Sequence, residues 1–321
     1  MIVVTGAAGF IGSYLVGKLN RSGYHDLILV DKFRNPSKEG NLKHKTFRER
    51  IERDEFFFWL SGNYDQVEVI FHLGARTDTI SQEPAIYKEL NLRYSQRLWQ
   101  ECSRFQIPLV YASSAATYGN GDRGFSDNHK EMNKLEPLNL YARSKHDFDI
   151  WALNQKETPA FWAGLKFFNV YGPNEYHKGD MASVVLHAYR KIKDSGKMNL
   201  FRSHRSNVKD GEQKRDFVHV DDITEVMLFF MENQNKPGIY NVGTGKARTY
   251  LELTRAVFES MHMNPEIRFV DTPLSLRNRY QYFTEANIRK LRETGYSKPF
   301  CELEQGVGDY VSNFLAHELI Y

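Results

Sequence analysis

Cysteine is scarce in this sequence. Two residues, Cys102 and Cys301, among 321 are too few for a disulfide framework or a zinc site. Long apolar runs are missing as well, and nothing approaches the roughly 18 residues that a transmembrane helix needs. Neither sign of charge is in excess: 43 basic side chains face 40 acidic ones, a net charge of +3. Spread evenly, that balance excludes an electrostatic binder of nucleic acid or of a membrane surface. The opening Met1-Ile2-Val3-Val4-Thr5-Gly6 has no basic leader and no small-residue cleavage site, so no signal peptide is expected. Repeats and low-complexity tracts are also lacking. What is left is a soluble globular chain, expected in the cytoplasm, 41% hydrophobic and long enough for one large or two modest domains.

The first half alternates short β-branched runs with longer helix-like stretches. The runs fall at 2–5, 27–30, 67–71, 109–112 and 164–168, with helices expected over 12–19 and 84–105. Near-continuous apolar strands separated by crossover helices predict a parallel sheet covered on both faces, an α/β fold of the Rossmann, doubly wound type. The later chain is less regular. A polar basic segment spans 204–215, and two further strands, 217–220 and 239–242, flank a helix. The expected division is a dinucleotide-binding domain over 1–168, to which about 216–245 returns, and a smaller, partly interleaved α+β substrate lobe over 169–321. In such sheets ligands bind beyond the carboxyl ends of the strands.

The first strand runs into Thr5-Gly6-Ala7-Ala8-Gly9-Phe10-Ile11-Gly12, a G-x-x-G-x-x-G turn. Glycines there permit a tight turn, close backbone approach to a pyrophosphate and close helix–strand packing. The helix that follows offers unpaired N–H groups and a positive dipole end. The second strand ends in Asp31, nineteen residues beyond Gly12, where a ribose-binding carboxylate belongs. The pattern predicts a bound dinucleotide. Asp31 alone favours NAD, but Lys32, Arg34, Lys38 and Arg53 follow and could neutralise a 2′-phosphate. NADP is the expectation, with NAD the alternative.

The fourth run ends at Ser113-Ser114, and twenty-seven residues after Ser114 comes Tyr141-Ala142-Arg143-Ser144-Lys145. Tyrosine and lysine four apart share a helix face. A nearby ammonium and an oxidised nicotinamide would bring the phenol, with its reference pKa of about 10, towards the working range. A serine hydroxyl at the strand end could hold the reacting oxygen. The same spacing recurs at Tyr14/Lys18 and Tyr189/Lys193, so it is the position of Tyr141/Lys145 after a serine-bearing strand end that singles it out.

With these residues in place, the chain resembles the extended short-chain dehydrogenase/reductases of the sugar-nucleotide epimerase type. The likeness rests on 4–13, on Tyr111 to Gly119 and on Phe168-Asn169-Val170-Tyr171-Gly172-Pro173; the segments 177–183, 214–218 and 279–284 are more specific. Of these, 177–183 and the Tyr280 segment resemble the branch acting on ADP-heptose, which supplies lipopolysaccharide precursors. The resemblance implies an internal redox reaction in which hydride leaves C6 of the sugar for bound NADP and returns to the opposite face. Two acid/base groups then fall on Tyr141 and Lys178, with Ser114 and Lys145 in support. It places Gly6, Gly9, Phe10, Ile11, Gly12, Asp31, Lys32, Lys38, Arg53, Leu73, Gly74, Ala75, Asn91, Lys145, Val170 and Lys178 at the cofactor. It places Asn169, Asp180, His187, Phe201, Lys209, Arg215 and Tyr280 at the ADP-sugar. Leu73 stands where relatives carry an acid, Asp180 stands where they carry serine, and the segment 203–213 is longer than theirs. A ring-shaped homo-oligomer, a pentamer, is also implied. The alternatives are another nucleotide-sugar epimerase, such as one acting at C4 of a UDP-hexose, and a non-catalytic NADP-sensing regulator. A dehydratase is disfavoured because Ala115 and Ala116 occupy the positions where water removal needs an acid/base pair.

Overall fold

The structure, a computed structural model, describes residues 1–277 and 280–321. Seven of its strands form one all-parallel sheet: β1 (Ile2–Thr5), β2 (Leu27–Asp31), β3 (Glu49–Glu52), β4 (Val69–His72), β5 (Leu109–Ser114), β6 (Trp162–Phe167) and, after a long excursion, β11 (Gly238–Val242). Their order is β11-β6-β5-β4-β1-β2-β3. The winding reverses between β1 and β4, which opens a crevice at their carboxyl ends. The apolar runs are strands because helices cover both faces: every residue of β1, β2, β4, β6 and β11 is buried.

Helix α1 (Phe10–Arg21) links β1 to β2. The expected helix over 84–105 is one rod in three pieces: Pro84–Tyr87, a π-helical segment Lys88–Arg93, and α2 (Tyr94–Phe105). Helix α3 (Leu140–Leu153) packs against β5. Strand β3 was not expected from the sequence. Glu49, Arg50 and Glu52 give it no apolar run, and only Ile51 is buried. A charged outer strand is how a sheet edge avoids pairing with another molecule.

Beyond β6 the chain builds a second layer. β7 (Asn169–Tyr171) pairs in parallel with β10 (Phe217–His219), β8 (Met198–Phe201) with β13 (Ile267–Val270), and β9 (Lys214–Arg215) runs antiparallel to β12 (Arg248–Thr249). Helices α4 (Val184–Ser195), α6 (Tyr250–Ser260) and α7 (Leu303–Asp309) enclose a second core around Leu186, Ile192, Val257 and Val307. The chain re-enters the first core twice. Helix α5 (Val220–Glu232) packs on α1 and leads to β11. Then Ala286, Leu291 and Tyr296 join the same cluster. A buried carboxylate ties this crossing together: Asp216 accepts bonds from the Thr244 and Gly245 amides, the Thr244 hydroxyl and the Ala286 amide at 2.7–3.0 Å.

Cys102 and Cys301 are free thiols. Among the described residues no helix is long and apolar enough to cross a membrane, and no cluster of three metal-ligating side chains is found.

Candidate active site

A cleft of about 980 Å³ lies over the carboxyl ends of β1, β2, β4, β5 and β6. Its floor is the glycine turn. Gly6 has φ +68°, and a Cβ there would come within 2.6 Å of the Gly74 amide nitrogen. A Cβ on Gly12 would strike the Gly6 carbonyl. The loops after β1 and β4 can meet only if Gly6 carries no side chain, and the turn can pack against the start of α1 only if Gly12 carries none. Gly9 caps α1 without a side-chain bond, leaving first-turn amides free to face an anion. Polar groups hidden under this floor fix the loops. The Thr5 hydroxyl lies 2.7 Å from His72 Nδ1 and accepts the Gly74 amide, and His72 Nε2 lies 2.9 Å from the Ser95 hydroxyl. Burial, aided by the Lys145 charge, pushes His72 down to about 3, so it is a neutral structural link.

Asp31 is oriented by the turn itself. One carboxylate oxygen accepts the Ala8 amide at 3.0 Å; the other accepts the Lys32 amide at 2.7 Å and pairs with Lys38 at 3.3 Å. Lys32, Arg34 and Arg53 line the same end of the cleft.

The expected trio lies deeper. Ser114 ends β5, and its hydroxyl accepts the Ala116 amide at 3.1 Å. Asn139 caps α3 by accepting the Ala142 amide at 2.8 Å, which sets Tyr141 in the first turn and Lys145 one turn on. Both face the cleft with Ser114. Burial raises the Tyr141 phenol, and the adjacent Ser114 hydroxyl works against that rise. The Lys145 ammonium donates to the Ala112 carbonyl at 2.9 Å, and burial brings it down to about 8. Lys178 lines the same cleft, in the segment after β7. Its ammonium sits 5.5 Å from the Phe10 ring centre. Burial lowers its pKa while the Glu175 carboxylate opposes that shift. Two groups able to exchange protons therefore line one cleft.

Residues 2–243 match the model of the NAD dependent epimerase/dehydratase family. The chain belongs to that family. A relative from Fusobacterium nucleatum subsp. nucleatum named ADP-L-glycero-D-manno-heptose-6-epimerase is 46% identical over 331 residues, spanning 100% of both chains. The structure of ADP-L-glycero-D-manno-heptose-6-epimerase from Helicobacter pylori superposes with a TM-score of 0.80 at 28% identity, covering 97% of this chain and 95% of that one. UDP-glucose 4-epimerase from Thermus thermophilus, solved with NAD, gives a TM-score of 0.78 at 26% identity, covering 98% and 99%.

In this epimerase/dehydratase chain, most of the sequence-predicted cofactor residues share the cleft: Gly6, Gly9, Phe10, Ile11, Gly12, Asp31, Lys32, Lys38, Arg53, Leu73, Gly74, Ala75, Val170 and Lys178 all line it. Asn91 stands behind the wall. Fully buried, it bonds the Arg76 amide and carbonyl and donates to the Ser144 hydroxyl at 2.9 Å, which in turn donates to the Tyr141 carbonyl. It steadies the start of α3 from the far side. On the substrate side Asn169 lines the cleft, 3.5 Å from the Thr284 hydroxyl. Arg215, Phe201 and Tyr280 form a separate cluster: the guanidinium lies 5.7 Å from the Tyr280 ring centre, and the Phe201 and Tyr280 rings are 6.0 Å apart. Lys209 and Asp180 are exposed. His187 Nε2 lies 3.3 Å from the Asp180 carbonyl. Arg279, which opens the 279–284 segment, lies outside the described residues.

Sequence reasoning did not single out Thr5, Ser95, Ser113, Asn41 or Glu175. Asn41 donates to the Ala8 and Asn174 carbonyls and touches His177 at 3.2 Å, joining the glycine turn to the Lys178 loop. Glu175 closes that loop by accepting the Ser183 amide and hydroxyl. A polar residue at the mouth of an otherwise apolar strand was the available signal for Thr5 and Ser113. For Asn41 and Glu175, which act across long sequence separations, there was none. The other two Tyr/Lys pairs have structural jobs: Tyr14 and Lys18 both bond Asp221, and the Tyr189 hydroxyl donates to the Leu315 carbonyl.

Proposed function

We propose that this chain inverts C6 of ADP-D-glycero-D-manno-heptose, giving the L-glycero epimer, with a tightly held nicotinamide dinucleotide. The observation that carries the reading is that Tyr141 and Lys178 line the same cleft as the glycine turn. The names of the full-length relatives point to the same substrate.

The residues present fit the dinucleotide. Gly6 and Gly12 leave a cradle that a Cβ would fill, and Asp31 stands at the end of β2 with both oxygens oriented. Held there, the dinucleotide would supply reversible hydride transfer at the carbinol carbon with no net redox change. Everything else falls to the protein. Tyr141 exchanges the proton of the substrate hydroxyl on one side, Ser114 holds that oxygen, and the Lys145 charge favours the phenolate. Lys178 exchanges the proton on the other side. Asn169 and the Phe201–Arg215–Tyr280 cluster receive the nucleotide, where a planar guanidinium suits a pyrophosphate.

Incubating purified protein with ADP-D-glycero-D-manno-heptose, without added cofactor, tests this directly. The expected result is a mixture of C6 epimers by proton NMR, with nicotinamide dinucleotide released on denaturation. No conversion would sink the substrate assignment.

The pH dependence follows from Lys145. Its ammonium is needed to stabilise the Tyr141 phenolate, and it titrates near 8. Because burial holds the Tyr141 phenol above its ordinary value, the working phenolate–ammonium pair is the state that has lost one proton. Turnover is therefore expected to rise as pH climbs through about 8 and to fall only where the second proton leaves, read from kcat across buffers at constant ionic strength. A profile that falls through pH 8 would count against the role.

For the cofactor we propose NADP. Lys38 already neutralises Asp31, and Lys32, Arg34 and Arg53 surround the same corner. Lys38→Ala is expected to weaken NADP binding about tenfold, the scale of one charge-assisted bond, and to leave NAD affinity nearly unchanged. Equal loss for both nucleotides in a fluorescence titration would remove the proposal. A cytoplasmic homopentamer completes the reading, and sedimentation velocity tests its assembly.

A further inference from the structure

Asp149 lies four residues beyond Lys145 on α3. It is fully buried, as is Lys166 of β6, and the Lys166 ammonium sits 2.6 Å from the Asp149 carboxylate. Two charges without solvent are costly to desolvate, and an apolar pair of similar volume would be as stable or more so. Stability alone therefore does not account for the pair. Its bonding partners do. Asp149 Oδ2 accepts the Ser113 hydroxyl at 2.6 Å, and Oδ1 accepts the Tyr111 hydroxyl at 3.2 Å. The Lys166 ammonium donates to the Thr117 hydroxyl at 2.7 Å, and that hydroxyl donates to the Ser114 carbonyl at 2.8 Å. The ammonium also sits 5.3 Å from the Tyr118 ring centre. The bonds thus grip the chain on both sides of Ser114. Tyr141, Lys145 and Asp149 fall at i, i+4 and i+8, along one stripe of α3.

We infer that the buried Asp149–Lys166 pair is a positioning lock, fastening α3 to β5 and β6 so that Tyr141 and Lys145 are held in register with Ser114. The inference rests on the catalytic reading of those three residues. It gives a task to charges the reaction itself does not use. Hydrophobic packing between a helix and a sheet is non-directional and tolerates sliding; directed, fully satisfied bonds do not. A displacement of ~1 Å at a reacting group can cost about 10²-fold in rate. The Asp149 carboxylate also opposes the burial that strips charge from Lys145.

The test compares Asp149→Asn/Lys166→Met, which removes both charges and leaves no unpaired buried ion, with Lys166→Arg, which keeps the pair. Thermal midpoint, kcat, KM and NADP affinity are measured for each. The double variant is expected to lose about tenfold or more in kcat with KM within about twofold, and to bind NADP more weakly because Lys145 has shifted. Lys166→Arg is expected to keep most of the parent kcat. A double variant with parental kcat and NADP affinity per folded molecule overturns the inference, whatever its melting temperature, because the pair would then be structural only. Should the double variant not fold, Ser113→Ala removes one bond and keeps both charges: a fall in kcat at unchanged melting temperature supports the lock, and parental kcat overturns it. If the parent does not turn over ADP-heptose, the functional reading fails, and NADP affinity decides alone: weakened binding in the double variant, or in Ser113→Ala, supports the lock, and parental affinity overturns it.

Discussion

Tyr141→Phe is expected to abolish epimerisation, lowering kcat by about 10²–10⁴-fold, the range a positioned acid/base group supplies. The substitution removes one oxygen and keeps the ring, so the packing of α3 stays. The Asn139 cap and the Lys145 bond to Ala112 do not involve the phenol. Melting temperature and the amount of bound dinucleotide should therefore match the parent. This pairing of lost turnover with intact binding also separates an enzyme from a sensor. A regulator that only registers cofactor would lose nothing with the hydroxyl, and a variant that kept turnover would remove Tyr141 from the chemistry altogether. Single-turnover assays on protein with matched dinucleotide content make the comparison.

The sheet and the glycine turn could be read from sequence because their signals are local. An apolar run such as 27–30 has to be buried on both faces, and Gly6 and Gly12 sit where side chains cannot fit. The trio could be read because Ser114, Tyr141 and Lys145 are placed by one strand end and one helix. Strand β3 hid because it lies at the sheet edge and carries charges in place of an apolar run, so its sequence resembles a loop. The lock hid for the opposite reason. Lys166 lies inside the apolar run 164–168 and Asp149 lies on a helix of mixed character, and neither shows its partner until β6 is laid beside β5. The re-entry of 286–296 into the first core hid in the same way, since the Asp216 carboxylate that gathers the Ala286 amide acts from seventy residues away. Among the expected substrate residues, Arg215 and Tyr280 come together because Lys214 exchanges backbone bonds with Tyr282 and Thr284, a pairing with no local sequence signature.

Lys178→Met should be as damaging as the loss of the Tyr141 hydroxyl, about 10²–10⁴-fold in kcat, because inversion needs a proton exchanged at each face. Methionine fills much of the lysine volume and keeps contact with Phe10, so the loop closed by Glu175 and Ser183 should hold. Loss of charge and loss of a titratable proton are confounded in that variant. Lys178→Arg separates them. Arginine keeps the positive charge beside Phe10 and Glu175 but stays protonated at any accessible pH, whereas burial has brought the lysine below its ordinary value. If Lys178 works by exchanging a proton, arginine should be nearly as inactive as methionine, and NADP affinity should stay near the parent's. If Lys178 serves only as a fixed positive charge, arginine should restore turnover. Combining Lys178→Met with Tyr141→Phe adds a third reading. Groups that serve one obligatory sequence are strongly non-additive, so the double variant should be little slower than the worse single one. Multiplied losses would mean that the two residues act independently, and the two-base mechanism would then be wrong.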